Sequence, residues 1–172
     1  MKKIIQNHGY SIAEVIVYLA IFAMVSLMVI NSFIVVISSF ATTRTNRDLL
    51  ESGLSSMERI SREIRQAKSI DIVASTLDST PGILQLNSTD ENDVPMVIKF
   101  VNENGDLNIY KNGVLIGNLI NENITVQSII YRRIATTEGE AVKIEMSLQD
   151  TPGKTVKVEK FYDTINLRGK YQ

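Results

Sequence analysis

Gly9-Tyr10-Ser11-Ile12-Ala13-Glu14 leads without a break into Val15-Ile16-Val17-Tyr18-Leu19-Ala20-Ile21-Phe22-Ala23-Met24-Val25-Ser26-Leu27-Met28-Val29-Ile30-Asn31-Ser32-Phe33-Ile34-Val35-Val36-Ile37. From residue 15 to 37 only Tyr18, Ser26, Asn31 and Ser32 interrupt the apolar run. As a helix rising about 1.5 Å per residue, the run is roughly 34 Å long. That length matches a hydrocarbon core of about 30 Å, so the stretch is read as a membrane-spanning helix. Two other readings compete. Ser39-Phe40-Ala41 loosely fits a small-x-small site, which suggests a Sec signal peptide cut after Ala41. Signal-peptide apolar cores run about 7–15 residues, however; this one is longer and opens on a carboxylate. The third reading is a helix buried inside a soluble domain.

Glu14 is the odd residue of the run. A carboxylate in an apolar helix costs on the order of 2.5–3.5 kcal/mol at the bilayer centre and less near its edge. An ionisable group inside a membrane span points to function by default. Against that, the macrodipole favours a carboxylate in the first turn of a helix. Glu14 at the interface would then need no further role. The residue alone leaves both readings open.

The wider pattern is more specific. Lys2-Lys3, the boundary at Gly9, the glutamate at position 14 and the apolar run resemble the class III leader of type IV prepilins and type II secretion pseudopilins. That leader reads Gly-Phe-Thr-Leu-x-Glu before an apolar helix. Here Tyr10, Ser11 and Ile12 stand for its Phe, Thr and Leu. The resemblance implies cleavage between Gly9 and Tyr10 by a prepilin peptidase on the cytoplasmic side. It also implies N-methylation of the new Tyr10 amine. The partners implied are other pilin or pseudopilin subunits, an inner-membrane assembly platform and the lipid bilayer. For Glu14 it implies neutralising the amino terminus of a neighbouring subunit in a bundle of apolar helices. A lone charge is heavily penalised in such surroundings, and a pair recovers much of that penalty. Lys2 and Lys3 favour a cytoplasmic N-terminus, whereas Arg44 and Arg47 oppose it, offset in part by Asp48 and Glu51. The resemblance decides for a single pass through the cytoplasmic membrane, the C-terminal domain outside, and a filament after assembly.

Composition narrows the chemistry. The chain has 172 residues, 18 Lys+Arg against 19 Asp+Glu, and a net charge of −1. That is not the broad basic surface of a nucleic-acid binder. There is no Cys, and the single His is His8. A chain cut after Gly9 would have neither. Disulfides, most zinc sites and Cys-His or Ser-His-Asp catalysis are then excluded. No cofactor, metal, catalytic residue or small-molecule substrate is expected.

With no Pro before Pro81, the helix is expected to run on to about Ile70. Leu50, Leu54, Met57, Ile60, Ile64 and Ala67 form one stripe at spacings of 3 and 4. The charges between them read as a solvated face, with Glu58 and Arg62 as a favourable i,i+4 pair. Asn31-Ser32 and Gly53 are the weak points of the helix. Beyond residue 80 the period turns to two. Strands are expected at 83–86, 96–101, 107–111, 114–120, 124–134, 141–148, 155–161 and 164–168. Asn104-Gly105 and Asn112-Gly113 signal tight hairpins, because both turn positions need φ > 0. Thr151-Pro152-Gly153-Lys154 reads as a third turn. The expected fold is α+β and pilin-like: a long N-terminal helix packed on one antiparallel meander. The boundaries are 1–9 leader, 10–40 transmembrane helix, 41–70 amphipathic continuation and 71–172 extracytoplasmic β-rich domain.

Weaker signals have plainer readings. Asp90-Glu91-Asn92-Asp93 offers oxygen ligands for calcium but lacks EF-hand spacing, so a solvated acidic loop is preferred. Arg132-Arg133 lie on opposite faces of a strand and suit local pairing better than nucleic acid. The stretches 62–67 and 161–168 resemble parts of J- or W-type minor pilins. The function expected is structural, as a minor pilin or pseudopilin subunit. The alternative is a membrane-anchored extracellular binding module or adhesin.

Overall fold

Helix α1 runs unbroken from Ile12 to Gln66 in a computed structural model that describes residues 11–136, 139–150 and 157–168. Asn31, Ser32 and Gly53 interrupt nothing. The hydroxyls along the way bond back into the helix: Ser32 to the Met28 carbonyl, Ser39 to Val35, Thr42 to Ser38 and Thr43 to Ser39. Such back-bonding leaves few unsatisfied donors on an otherwise apolar surface. The chain divides into two compact units, 1–44 and 45–172, with the division inside α1. In the first unit no residue of the most apolar 18-residue stretch is buried, and this helix is long and apolar enough to cross a membrane.

The second unit is β-rich. The helix stops at Gln66, earlier than expected, because Ser69–Ile70 forms strand β1 against β2, Ile83–Thr89. β3 (Pro95–Glu103), β4 (Asp106–Lys111) and β5 (Val114–Asn118) complete a five-stranded antiparallel sheet in chain order. β6 (Ile124–Ala135), β7 (Glu140–Asp150) and β8 (Val158–Asn166) form a separate three-stranded antiparallel sheet. The single meander is therefore corrected to two sheets. The strands expected at 155–161 and 164–168 are one strand, because β8 stays paired with β7 through Tyr162, Asp163 and Thr164. The Asn-Gly turns are as expected. Asn104 and Gly105 have φ of 55° and 94°, and Asn112 and Gly113 have φ of 50° and 80°. The Thr151–Lys154 turn lies outside the described residues.

The core joins Ile60 and Ile64 of α1, and Ala67 just past its end, to both sheets. The five-stranded sheet contributes Leu84, Leu86, Ile98, Phe100, Leu107 and Ile109; the other contributes Ile129, Val142, Ile144, Met146, Leu148 and Ile165. The expected helical stripe needs correction at its start. Leu50 and Leu54 are exposed, and the buried positions are Leu49, Ser52, Gly53, Ser56 and Met57. Three small residues separate Leu49 from Met57 on the packing face here. A Cβ on Gly53 would lie 2.1 Å from Cζ of Phe161 on β8. Ser61 donates a 2.9 Å hydrogen bond to Asp163, and the Asn121 amide donates one of 3.2 Å to Ser52. These contacts place α1 tightly against β8 and the β5–β6 connection.

The charged face also differs from expectation. Glu63 is buried, 2.9 Å from Arg59 and 3.2 Å from Lys111 on β4. The pair formed is thus Arg59/Glu63 rather than Glu58/Arg62. A buried carboxylate is tolerated when it is paired and hydrogen-bonded.

Two stability outcomes follow, read by thermal and urea unfolding of the detergent-solubilised chain. In an open helix Gly→Ala stabilises by about 0.5–1 kcal/mol. Gly53→Ala is expected instead to destabilise by about 1–3 kcal/mol through overpacking. The loss should vanish in a Phe161→Ala background; simple additivity would refute the close contact. Tyr131 is fully buried, its hydroxyl has no hydrogen-bond partner among the described residues, and burial pushes its pKa up. Tyr131→Phe is therefore expected to raise stability by about 1 kcal/mol, and a clear loss would mean the hydroxyl is satisfied.

Candidate functional site

Of the three residues singled out for processing and assembly, Gly9 and Tyr10 lie outside the described residues. Glu14 is exposed in the first turn of α1, next to the helix start where the Val15 amide bonds the Ser11 carbonyl at 3.2 Å. Orphan amides and the positive end of the macrodipole favour a carboxylate at this place. The Tyr18 hydroxyl donates to Oε1 of Glu14 at 2.9 Å. Tyr18 is the functional neighbour that the sequence reading passed over, having counted it only as a polar interruption. Its i+4 spacing from Glu14 was the available signal. One phenol fills only part of a carboxylate's acceptor capacity. Among the described residues no second donor or cation is placed on it.

Around this carboxylate the helix surface is apolar. Ile12, Val15, Ile16, Leu19 and Phe22 are all exposed. The first unit can thus present one anionic hydrogen-bond acceptor on an otherwise greasy rod.

The second unit holds three polar arrangements. Arg132 bonds Glu145 at 3.2 Å and Asp78 at 3.1 Å, while Lys143 approaches Glu145 to 2.8 Å. Hydrogen bonds from Lys143 and Arg132 hold the Glu145 pKa down, and those to Glu145 and Asp78 hold the Arg132 pKa up. Arg133 pairs with Glu140. Both arginines are therefore used locally, as the strand geometry suggested. Asp90 is also occupied: its carboxylate accepts from the Asn92 and Val94 amides at 2.8 and 2.9 Å and closes the β2–β3 turn. Among the described residues no group of three His, Cys, Asp or Glu side chains is placed to hold a metal. The third arrangement is a groove of about 1030 Å³ beside α1, lined by residues of the helix and of the end of β8.

No family model matches the chain, and no curated protein or solved structure does. The arrangement of its own residues therefore carries the functional reading.

Proposed function

We propose that the chain is a structural subunit of the type IV pilin or type II pseudopilin class, with a pilin-like fold. Its first nine residues are a leader removed by a prepilin peptidase. It sits by a single pass in the cytoplasmic membrane with the β-rich unit outside. From there an inner-membrane assembly platform adds it to a filament, as a minor rather than a major subunit.

One observation carries this reading: an exposed apolar helix whose first turn bears an exposed, only partly satisfied carboxylate. Lipid alone would cover the apolar side chains of any anchor. It would not reward a carboxylate in the first turn beyond what the helix start itself provides. A bundle of such helices would, because the amine freed at Tyr10 of one copy is a cation that needs a partner. In a low-dielectric core the pair is tolerated where either charge alone is not. The Glu14–Tyr18 bond helps hold the carboxylate in the membrane until that partner arrives.

A second reading has its own support. β5 is an edge strand on which Val114, Leu115 and Ile116 are exposed in succession. An uncharged apolar edge is a template for strand addition. It fits an anchored binding module that never enters a filament.

Intact-mass analysis of the membrane-extracted protein separates the two. Loss of residues 1–9 with a gain of about 14 Da is expected for a methylated subunit. An uncut chain favours the anchored module, and a start after Ala41 an ordinary secreted protein. Glu14→Ala is expected to leave insertion and cleavage intact while lowering incorporation into sheared filaments by about tenfold or more. Normal incorporation of that variant would refute the proposed role of Glu14.

A further inference from the structure

Contacts between α1 and β8 fall in matching order. Along the helix come Asn46, Gly53 and Ser61; along the strand come Lys157, Phe161 and Asp163. Lys157 stands just before β8 and shares its helix-facing side, since side chains two apart in a strand point the same way. Its Nζ donates to Oδ1 of Asn46 at 2.7 Å. The Cγ of that amide is one carbonyl bond, about 1.2 Å, from the oxygen. Glu159, the next residue on the same side, holds Oε1 2.9 Å from the same Nζ. An amine, a primary amide and a carboxylate are thus brought together by helix and strand.

A lysine–glutamate pair by itself is an ordinary half-exposed contact worth little. The amide changes its chemistry. A carboxylate within hydrogen-bond reach of an amine is a base beside a nucleophile. A side-chain carboxamide is an acyl group whose leaving group is ammonia. Between free molecules that reaction is very slow. Holding the reactants in contact is equivalent to an effective concentration of about 10⁵–10⁸ M.

We propose that Lys157 and Asn46 condense into an isopeptide bond, with Glu159 carrying the protons. Glu159 takes a proton from the Lys157 ammonium. The Nζ lone pair attacks Cγ of Asn46, and the carbonyl electrons move onto Oδ1. The proton on Glu159 goes to Nδ2, and Glu159 takes a second one from Nζ. The carbonyl re-forms, the Cγ–Nδ2 bond breaks, and ammonia leaves, taking the second proton as ammonium. One amide replaces another, so no oxidant, cofactor or energy source is consumed. The Lys157 and Glu159 side chains keep 37% and 34% exposure, which gives the ammonia a way out.

The bond would tie positions 111 residues apart. With no Cys in the chain, no disulfide can do this. The second unit begins at Thr45, so the tie lies in its first turn of α1. Force passed along α1 from the first unit would meet it before the contacts at Gly53 and Ser61.

The full-length, membrane-extracted chain is kept folded overnight and digested with trypsin. Cuts are expected after Arg44, Arg47, Lys154 and Lys160, but not after an acylated Lys157. A branched peptide joining 45–47 to 155–160 is expected, lighter by about 17 Da than its two parts for the ammonia lost. Lys157→Arg and Asn46→Ala should each abolish it, and Glu159→Gln should slow its formation about a hundredfold. Lys157→Arg keeps the charge and should melt about 10 °C or more below the tied chain. Absence of the branched peptide from the folded chain would overturn the proposal and leave a hydrogen bond only. So would a loss of ammonia that persists in Lys157→Arg and is reversed by hydroxylamine. That result is a succinimide at Asn104-Gly105 or Asn112-Gly113. An unchanged rate in Glu159→Gln would overturn the role given to Glu159. The branched peptide is read apart from the N-terminus, so the result is independent of cleavage after Gly9 and of filament formation.

Discussion

The large apolar side chains of α1 between Ile12 and Phe40 are exposed. Each large one left in water forgoes about 1.5–3 kcal/mol. A domain is stable by only about 5–15 kcal/mol, so a handful of such exposures equals its entire stability. The first unit carries a helix long and apolar enough to cross a membrane. Lipid and other helices would each cover these side chains, and the macrodipole favours Glu14 at the helix start in either setting.

In the second unit the same helix changes its manner of packing. It meets Phe161 of β8 at Gly53, buries Ser52 and Ser56 beside that contact, and seats Ile60 and Ile64 in the core. Close approach through small residues brings polar groups into contact, and they are matched. Ser61 meets Asp163, Ser52 meets the Asn121 amide, and Glu63 meets Arg59 and Lys111. With no Cys in the chain, packing and these polar matches hold the helix to the two sheets. The cations left over, at Arg62, Arg65, Lys68 and Arg168, lie along the groove where the helix meets the end of β8. Surplus charge and tight packing thus share one boundary.

Much of this was legible in the residues. An apolar run of membrane length, a switch from helical to alternating period and two Asn-Gly dipeptides are local signals. They depend on side-chain hydrophobicity and on which backbones tolerate φ > 0. The helix, most of the strands and both hairpins accordingly came out close to where they were expected. Glu14 stood out for the same reason, as a charge where transfer energies disfavour one.

The remainder was decided by tertiary structure. Whether Leu49 or Leu50 faces inward depends on the rotation of the helix against β8, which is set by the ring of Phe161 against a glycine more than a hundred residues away. Ser52 and Ser56 are buried although polar, Ser52 accepting from the Asn121 amide and Ser56 donating back to helix carbonyls. The split into two sheets depends on which strands pair over long range, and the alternation of β4 through β6 is compatible with one sheet or two. Glu63 became a buried partner of Lys111 because β4 passes over it. Sequence by itself determined what each segment is; only the fold decided which segments meet, since long-range contacts leave no period in the chain that makes them.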